Sequence, residues 1–183
     1  MVFHKTALEG AYIIDLEPFS DDRGLFARTF CKREFSAIGH NKEFVQFNHS
    51  HSNQQGTLRG LHFQRPPHAE IKLIRCIRGS VFDVIVDLRH GSATFLHYVG
   101  VELSEQNMRM IYVPEGFAHG FQTLADHCEL IYHHTAFYAP NADGGIRYDD
   151  PKINIAWPLE ISTISEKDKN LPLLSEDFAG MTL

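Results

Sequence analysis

Hydrophobic and polar residues alternate at every second position along most of this chain, and helical spacing is rare. Such short strands, separated by turn signals about every 8–12 residues, are typical of an all-β sandwich or barrel of the jelly-roll kind. The predicted strands are 11–14, 26–30, 45–52, 58–64, 71–77, 81–88, 94–103, 108–113, 120–124 and 128–137, with short helices over 32–38 and near Ser165. Residues 1–183 are predicted to form one domain, around which the less periodic 151–183 wraps.

The strand over 45–52 carries polar residues at alternate positions, namely Gln46, Asn48, Ser50 and Ser52. A polar face on a strand that otherwise belongs in a core suits the ligand-lined interior of a barrel. The alternative is an outward, solvated face. The pattern of this strand alone leaves both possibilities open.

The stretch Leu58-Arg59-Gly60-Leu61-His62-Phe63-Gln64 places a cation and an imidazole inside a run whose other residues are typical of a buried strand. Burying a charge is costly unless the charge is paired. Glycine inside a strand indicates a bulge or a close backbone approach. A bulge re-aims side chains, so Arg59 and His62 could face one cavity despite their odd and even positions.

Composition bounds the class of protein. The 183 residues include 43% hydrophobic and 22% charged residues, and the net charge of −6 argues against general nucleic-acid binding. No apolar run approaches the length of a membrane span, and the amino terminus lacks the pattern of a signal peptide. Three cysteines far apart, with no C-x-x-C pair, fit reduced thiols in a cytoplasmic protein.

Several motifs together carry a resemblance to the dTDP-4-dehydrorhamnose 3,5-epimerase family over nearly the whole chain. They are Asp22-Arg23-Gly24 with Phe26, Gln46 with Asn48 and Ser50, the stretch from Leu58 to Gln64, Lys72, Val81-Phe82-Asp83-Val84, Val86-Asp87-Leu88-Arg89, Pro114 with Gly116-Phe117-Ala118-His119-Gly120-Phe121, Tyr132, Tyr138, Asp150-Pro151, Trp157-Pro158, and Ser165 with Lys167-Asp168. The resemblance implies a cupin-type jelly-roll barrel, a homodimer formed by exchanged N-terminal strands, and no metal or other cofactor. It also implies nucleoside-diphosphate 4-keto-6-deoxyhexoses as substrates.

Epimerisation next to a C4 ketone needs a base, a group that stabilises the oxyanion, and an acid on the opposite face of the sugar. His62 is the natural base, because an imidazole exchanges protons near neutral pH. By resemblance, Asp168 forms a dyad with His62, Lys72 stabilises the oxyanion and Tyr132 supplies the proton. Taken locally, Ser165-x-x-Asp168 is also a helix-capping pattern.

The remaining site residues are expected to bind the substrate. Arginine forks and lysine charges suit the diphosphate, and aromatic rings suit a pyrimidine. Arg23, Arg59 and Lys167 are assigned to the phosphates, Phe26 and Tyr138 to the base, and His119, oriented by Asp83, to the substrate; Gln46, Asn48, Arg28 and Asp143 complete the binding set.

Two positions depart from the family, which usually has glutamate where this chain has Arg28 and Asp143. With Phe26, Arg28 and Phe30 on one strand face, Arg28 would point at the base. Because arginine only donates hydrogen bonds, we expect a CDP-linked sugar to be accepted as well as, or better than, a dTDP-linked one.

Two other functions remain possible at this point. Pro114-x-Gly116-x-x-His119 matches half of a cupin metal motif, but His62 is followed by Phe63-Gln64 and Glu70 is a poor substitute for the missing ligand. A metal-dependent cupin enzyme is therefore one alternative. A sugar-binding barrel without catalysis is the other. The sequence does not separate epimerisation at C3 and C5 from epimerisation at one carbon.

Overall fold

Short strands make up nearly all the regular structure of the protein, as the alternating pattern predicts. The computed structural model describes residues 1–183. The strands are β1 Val2–Lys5, β2 Tyr12–Asp15, β3 Phe19–Asp21, β4 Gly24–Phe26, β5 Gln46–Ser52, β6 Thr57–Gln64, β7 Lys72–Arg78, β8 Ser80–Asp87, β9 Tyr98–Ser104, β10 Met110–Val113, β11 Phe117–Thr123, β12 Cys128–His134, β13 Asp143–Gly145 and β14 Thr163–Ile164; the helices are α1 Lys32–Ser36 and α2 Glu166–Lys169. Neither helix has the length and apolar character needed to span a membrane.

Two sheets pack face to face. The first has the strand order β1-β2-β10-β7-β12-β5, and the second has the order β13-β6-β11-β8-β9, with β14 added in parallel to β6. The other pairings are antiparallel, and β3 and β4 form a separate hairpin. The predicted all-β jelly-roll class, with only short peripheral helices, is confirmed.

The core lies between the sheets, where the inward residues of both are apolar. Ile74, Ile85, Ile111, Phe121 and Leu130 are each at most 2% exposed within one cluster. Burying a side chain of this size stabilises the fold by about 1.5–3 kcal/mol. On β7, β11 and β12 the inward residues two positions from this cluster are the polar Lys72, His119 and Tyr132, and there the space between the sheets opens into a cavity.

The amino-terminal third differs from the predicted elements. The resemblance implies that the N-terminal strand is exchanged between subunits, whereas residues 12–14 of the predicted strand over 11–14 pair with β10 of the same chain, and β1 forms the sheet edge. The predicted strand over 26–30 ends at Phe26. Phe30 turns to pack on Phe35 and Phe44, and Arg28 bonds to Glu34. Local aromatic packing and an ion pair therefore replace the strand.

The carboxyl-terminal segment covers the outer face of the second sheet. Ile153 is buried there, and Leu174, Phe178 and Met181 pack against the cluster that contains Val84. Within this segment, β14 pairs with β6 and α2 follows directly. This path brings residues 163–168 to the mouth of the cavity.

Asp87 is a fully buried carboxylate that organises the turn after β8. It accepts hydrogen bonds from Arg89, from Ser92 at 2.6 Å and from Thr94 at 2.7 Å. Burial alone raises the pKa of this carboxyl, but these hydrogen bonds outweigh it and lower the pKa to about 2. The depressed pKa corresponds to about 2 kcal/mol of stability that is present above about pH 4 and lost as the pH falls towards 2.

We predict that Asp87→Ala lowers the free energy of unfolding by about 2–4 kcal/mol near neutral pH, because Arg89, Ser92 and Thr94 lose their shared acceptor. Urea denaturation measures this change. Asp149→Ala is the control, since Asp149 pairs with Arg147 at the surface and its loss should change little. Equal effects of the two substitutions would contradict the role given to Asp87.

Candidate active site

A cavity of about 540 Å³ opens between the two sheets, within the usual range for small-molecule sites. Strands β5, β7 and β12 supply one wall, β6 and β11 supply the other, and residues 163–168 close the side. The lining includes eight of the predicted site residues: Asn48, Arg59, His62, Lys72, His119, Tyr132, Lys167 and Asp168.

The predicted irregularity of β6 is present at Gly60. His62 lies opposite His119 and Arg59 lies opposite Phe121, so three steps along β6 match two steps along β11. Gly60 has φ +121°, and a Cβ there would stand 2.6 Å from the Cα of Gly120. Only glycine fits this close approach. The extra residue turns both Arg59 and His62 towards the cavity.

Asp168 links the carboxyl-terminal segment to this bulge. Its Oδ1 lies 2.7 Å from Nε2 of His62, its Oδ2 accepts the Gly60 N–H at 3.1 Å, and its own N–H donates to Ser165 Oγ at 3.0 Å. The Ser165-x-x-Asp168 pattern therefore caps α2 and at the same time places the Asp168 carboxylate on His62. Burial raises the pKa of the Asp168 carboxyl, but the hydrogen bonds from His62, Gly60 and Ser165 outweigh it and lower the pKa overall.

The dyad defines which nitrogen of His62 faces a ligand. Nε2 is engaged by a carboxylate, which holds that nitrogen as the N–H donor. Nδ1 makes no hydrogen bond within the protein and carries the free lone pair. The imidazole is 36% exposed, so this atom is accessible from the cavity.

Tyr132 lies on β12, in the sheet opposite to the one that carries His62. Its hydroxyl is 3.3 Å from Ser50 Oγ, and its ring packs edge-on against His119. Burial raises the pKa of this phenol well above its usual range. The hydroxyl therefore keeps its proton until a strong base forms beside it.

Lys72 is a buried cation with donors to spare. The residue is 8% exposed, and its Nζ has only two long contacts, 3.5 Å to the His62 carbonyl and 3.4 Å to Glu70 Oε1. Three N–H groups therefore stand near the cavity without short hydrogen bonds. This arrangement suits an oxygen that gains negative charge.

His119 and Asp83 form a second buried pair, as expected, with Nε2 2.9 Å from Oδ2. Burial lowers the pKa of His119 and raises that of Asp83, so burial favours the uncharged forms of both groups. The Nδ1 of His119 has no bond to the protein and is the ring nitrogen left for a ligand.

The residues expected to bind the diphosphate and the nucleotide base fall into two groups, one at or beside the cavity and the other on or after the β3–β4 hairpin. Arg59 lines the cavity and donates to Ser52 Oγ and the His51 carbonyl, and Lys167 pairs with Asp143 at 2.6 Å. Gln46 and Tyr138 lie beside the cavity, where Gln46 accepts the Tyr138 backbone N–H and the Tyr138 ring is 56% exposed.

Arg23, Phe26 and Arg28 are not brought to the cavity of their own chain. Arg23 bonds to Asp21 within the β3–β4 hairpin, on which Phe26 is 74% exposed. Arg28 lies beyond the end of β4, and its guanidinium donates to Glu34 at 2.7 Å. The prediction that Arg28 shares a strand face with Phe26 is wrong, because the chain leaves the strand after Phe26.

Two buried groups at the site, His134 and Glu70, escaped the sequence analysis. His134 lines the cavity, and Glu70 lies beside it with its carboxylate on the His134 ring. Each side chain is 9% exposed, and Glu70 was considered only as a metal ligand. The signal for His134 was its spacing of two from Tyr132, which puts both on one face of β12. No group of three or more His, Cys, Asp or Glu side chains is placed to hold a metal ion.

Comparison with known proteins gives a consistent result. Residues 5–176 match the family model described as dTDP-4-dehydrorhamnose 3,5-epimerase. A dTDP-4-dehydrorhamnose 3,5-epimerase of Methanothermobacter thermautotrophicus is 49% identical over 96% of this chain and 95% of its own length.

Two solved structures extend the comparison. The dTDP-6-deoxy-D-glucose-3,5-epimerase of Legionella pneumophila, in complex with dTDP-4-keto-L-rhamnose, superposes with a TM-score of 0.92 at 36% identity, covering 100% of this chain and 98% of the other. A 3'-monoepimerase of Streptomyces bikiniensis, in complex with dTDP-quinovose, gives 0.87 at 33% identity, covering 93% and 86%. The protein belongs to the dTDP-4-dehydrorhamnose 3,5-epimerase family.

Proposed function

We propose that this protein inverts C3, C5 or both in a nucleoside-diphosphate 4-keto-6-deoxyhexose, as an isomerase of deoxysugar biosynthesis. One observation carries the proposal. The His62–Asp168 dyad and the hydroxyl of Tyr132 stand on opposite sheets of one cavity, which also contains the ammonium of Lys72. A sugar ring bound between the sheets would present one face to each group.

The first chemical step is removal of a proton next to the ketone. Nδ1 of His62 takes the proton from the ring carbon, and the electrons of the broken C–H bond move into a C–C double bond while the carbonyl electrons move to the C4 oxygen. Asp168 stabilises the imidazolium that forms, as a buried carboxylate does for a catalytic histidine. The N–H groups of Lys72 stabilise the enolate oxygen, where charge develops.

The second step sets the new configuration. Tyr132 donates its proton to the same carbon from the other face as the enolate collapses to the ketone. The tyrosinate then regains a proton from solvent, and the His62 imidazolium releases to solvent the proton that it took. The raised pKa of Tyr132 keeps its hydroxyl protonated until the donation. A base alone would return the proton to the face it came from, so inversion requires both groups.

We propose dTDP as the nucleotide, with Arg59 and Lys167 at the diphosphate and Tyr138 stacked on the base. The relatives support this choice, because their names and bound ligands are thymidine-linked sugars. The expected preference for CDP depended on Arg28 facing the base. With Arg28 bonded to Glu34, nothing specific to this chain favours cytosine.

We also propose a cytoplasmic homodimer of single-domain subunits. Three observations support the dimer: β1 is an open sheet edge, Phe47 is 64% exposed on the outer face of the first sheet, and Phe19 and Phe26 are more than 70% exposed on the hairpin. Open edges and clustered apolar side chains are normally covered. Arg23 and Phe26 then act at the partner's cavity, which explains their distance from their own.

We expect the protein to exchange hydrogen at C3, C5 or both when it is incubated with dTDP-4-keto-6-deoxyglucose in deuterated water. The carbons that exchange and invert, followed by NMR, decide between double and single epimerisation. Prior treatment with a chelator should leave the rate unchanged. Activity that disappears with the chelator and returns with a metal would support a metal-dependent cupin enzyme instead, and binding without exchange would support a non-catalytic sugar-binding protein.

The two proton-transfer groups should separate in that assay. His62→Ala is expected to lower exchange by about 10²–10⁴-fold, the usual contribution of a general base, because no enolate forms. Tyr132→Phe is expected to impair inversion more than exchange, because the enolate still forms but is reprotonated from the original face. Unchanged net epimerisation in Tyr132→Phe would show that another group is the acid.

The position of Arg28 makes a prediction about nucleotide choice. Arg28→Glu should leave the ratio of kcat/KM for the dTDP- and CDP-linked sugars unchanged within about twofold, because its guanidinium bonds to Glu34 rather than to the base. Tyr138→Ala is the comparison, and it should raise KM for both sugars. A reversal of nucleotide preference in Arg28→Glu alone would place Arg28 at the base.

The shared site can be tested by mixing inactive variants. Light scattering at micromolar concentration should give a dimer mass. Subunits carrying Arg23→Ala with Phe26→Ala, unfolded and refolded together with His62→Ala subunits, should regain about a quarter of wild-type activity, because each hybrid dimer then contains one intact site. A monomer mass, or no recovery in hybrid dimers, would overturn the proposed exchange of residues.

A further inference from the structure

Glu70 and His134 are buried ionisable groups beside the cavity to which the mechanism above gives no task. Each side chain is 9% exposed. Glu70 Oε2 lies 2.9 Å from His134 Nδ1, and its other oxygen, Oε1, lies 3.4 Å from the Nζ of Lys72. One carboxylate is therefore shared between a histidine and the lysine that faces the reacting oxygen.

A chain of hydrogen bonds fixes this carboxylate from the far side. The Tyr138 N–H donates to Gln46 Oε1 at 3.0 Å, Gln46 Nε2 donates to Asn48 Oδ1 at 3.3 Å, and Asn48 Nδ2 meets His134 Nε2 at 3.3 Å. An amide nitrogen can only donate, so Nε2 of His134 accepts this hydrogen bond. The ring proton of His134 therefore lies on Nδ1. That proton points at Glu70. Every member donates in the same direction, towards Glu70.

Lys72 needs such a partner. Moving an ammonium out of water is costly unless a negative charge lies near it. Apart from the more distant carboxyl of Asp83, whose own charge burial disfavours, Glu70 is the anion beside Lys72. Burial raises the pKa of Glu70, but the bonds from His134 and the nearby Lys72 charge outweigh it and lower the pKa overall, so the carboxylate stays ionised.

We propose that Glu70 is a positioning residue for the epimerisation, held by His134, which aligns the charged ammonium of Lys72 at the C4 oxygen of the substrate. This inference rests on the proposed function. Through His134, Asn48 and Gln46, the same chain joins the oxyanion site to the backbone of Tyr138, where the base is proposed to stack. Lys72 is the catalytic residue in this arrangement, and Glu70 acts through it.

The first test replaces the charge and keeps the shape. Glu70→Gln is expected to lower kcat about tenfold to hundredfold and to leave KM within about twofold, because the negative charge that Lys72 stabilises is absent from the bound ketone and develops only in the transition state and the enolate. Glu70→Asp keeps the charge one methylene further away and should recover part of the loss. Glu115→Gln is the matched control: it removes a second Lys–Glu pair, that of Lys42 outside the cavity, and should not change kcat.

The second readout is the pH profile of kcat. A buried ammonium that has lost its counter-charge gives up its proton more readily, so the alkaline limb of Glu70→Gln should move to lower pH. The other ionisable groups around Lys72 are His62, Asp83, His119 and His134, the last of which lies opposite Lys72 on β12, and none of them is replaced in the variant. A fall in kcat with an unshifted alkaline limb would mean that Glu70 serves only the packing of the site.

The decisive measurement is a double-mutant cycle, because a residue that acts through Lys72 has no effect once Lys72 is gone. Glu70→Gln should leave the residual kcat of Lys72→Ala unchanged. An equal further loss in that background, or wild-type kcat in Glu70→Gln alone, would overturn the inference. Thermal unfolding confirms that each variant is folded, and if Glu70→Gln is not, Glu70→Asp takes its place in the cycle. Failure of the wild-type protein to exchange substrate hydrogens would instead refute the proposed function.

Discussion

The candidate site depends on one carboxylate, that of Asp168. Its two oxygens bind His62 Nε2 and the N–H of Gly60, while its own backbone N–H is held by Ser165. These contacts join positions 106 residues apart, and they orient the histidine and stabilise the bulge from which it projects. The carboxyl-terminal segment is therefore part of the site, since without Asp168 the bulged strand would carry an imidazole with no fixed tautomer.

The two sheets give the site its chemical polarity. Because side chains alternate across a strand, a sandwich has one set of inward residues on each sheet. His62 comes from the second sheet and Tyr132 from the first, so the proposed base and the proposed acid face each other without any special loop. Inversion at a carbon requires groups on both faces of a sugar ring. The sandwich provides this arrangement, and the bulge at Gly60 is the local adjustment that brings Arg59 to the same side as His62.

Much of this arrangement was predictable because it follows from periodicity. Alternation located most strands, and the polar face of β5 is indeed inward, where Asn48 and Ser50 line the cavity. The strand predicted over 26–30 was wrong. The alternation of Phe26, Arg28 and Phe30 also fits a chain that turns, so that Arg28 pairs with Glu34 and Phe30 packs on Phe35. Glu70 and His134 were missed for a different reason. Their contact spans 64 positions, and no local pattern reveals which distant group a buried carboxylate will meet.

The groups proposed for catalysis gain their rigidity from the core beside them. Lys72 precedes Ile74 on β7 by two residues, and Tyr132 follows Leu130 on β12 by two, so each polar group shares a strand face with a fully buried apolar one. Sites built on strands are held more accurately than sites on loops. Each inward polar group then costs desolvation unless it is bonded, which explains the pairing of His119 with Asp83 and of His134 with Glu70. These hydrogen-bonded pairs are therefore a physical consequence of placing a polar site inside a sandwich, and they fix where each donor points.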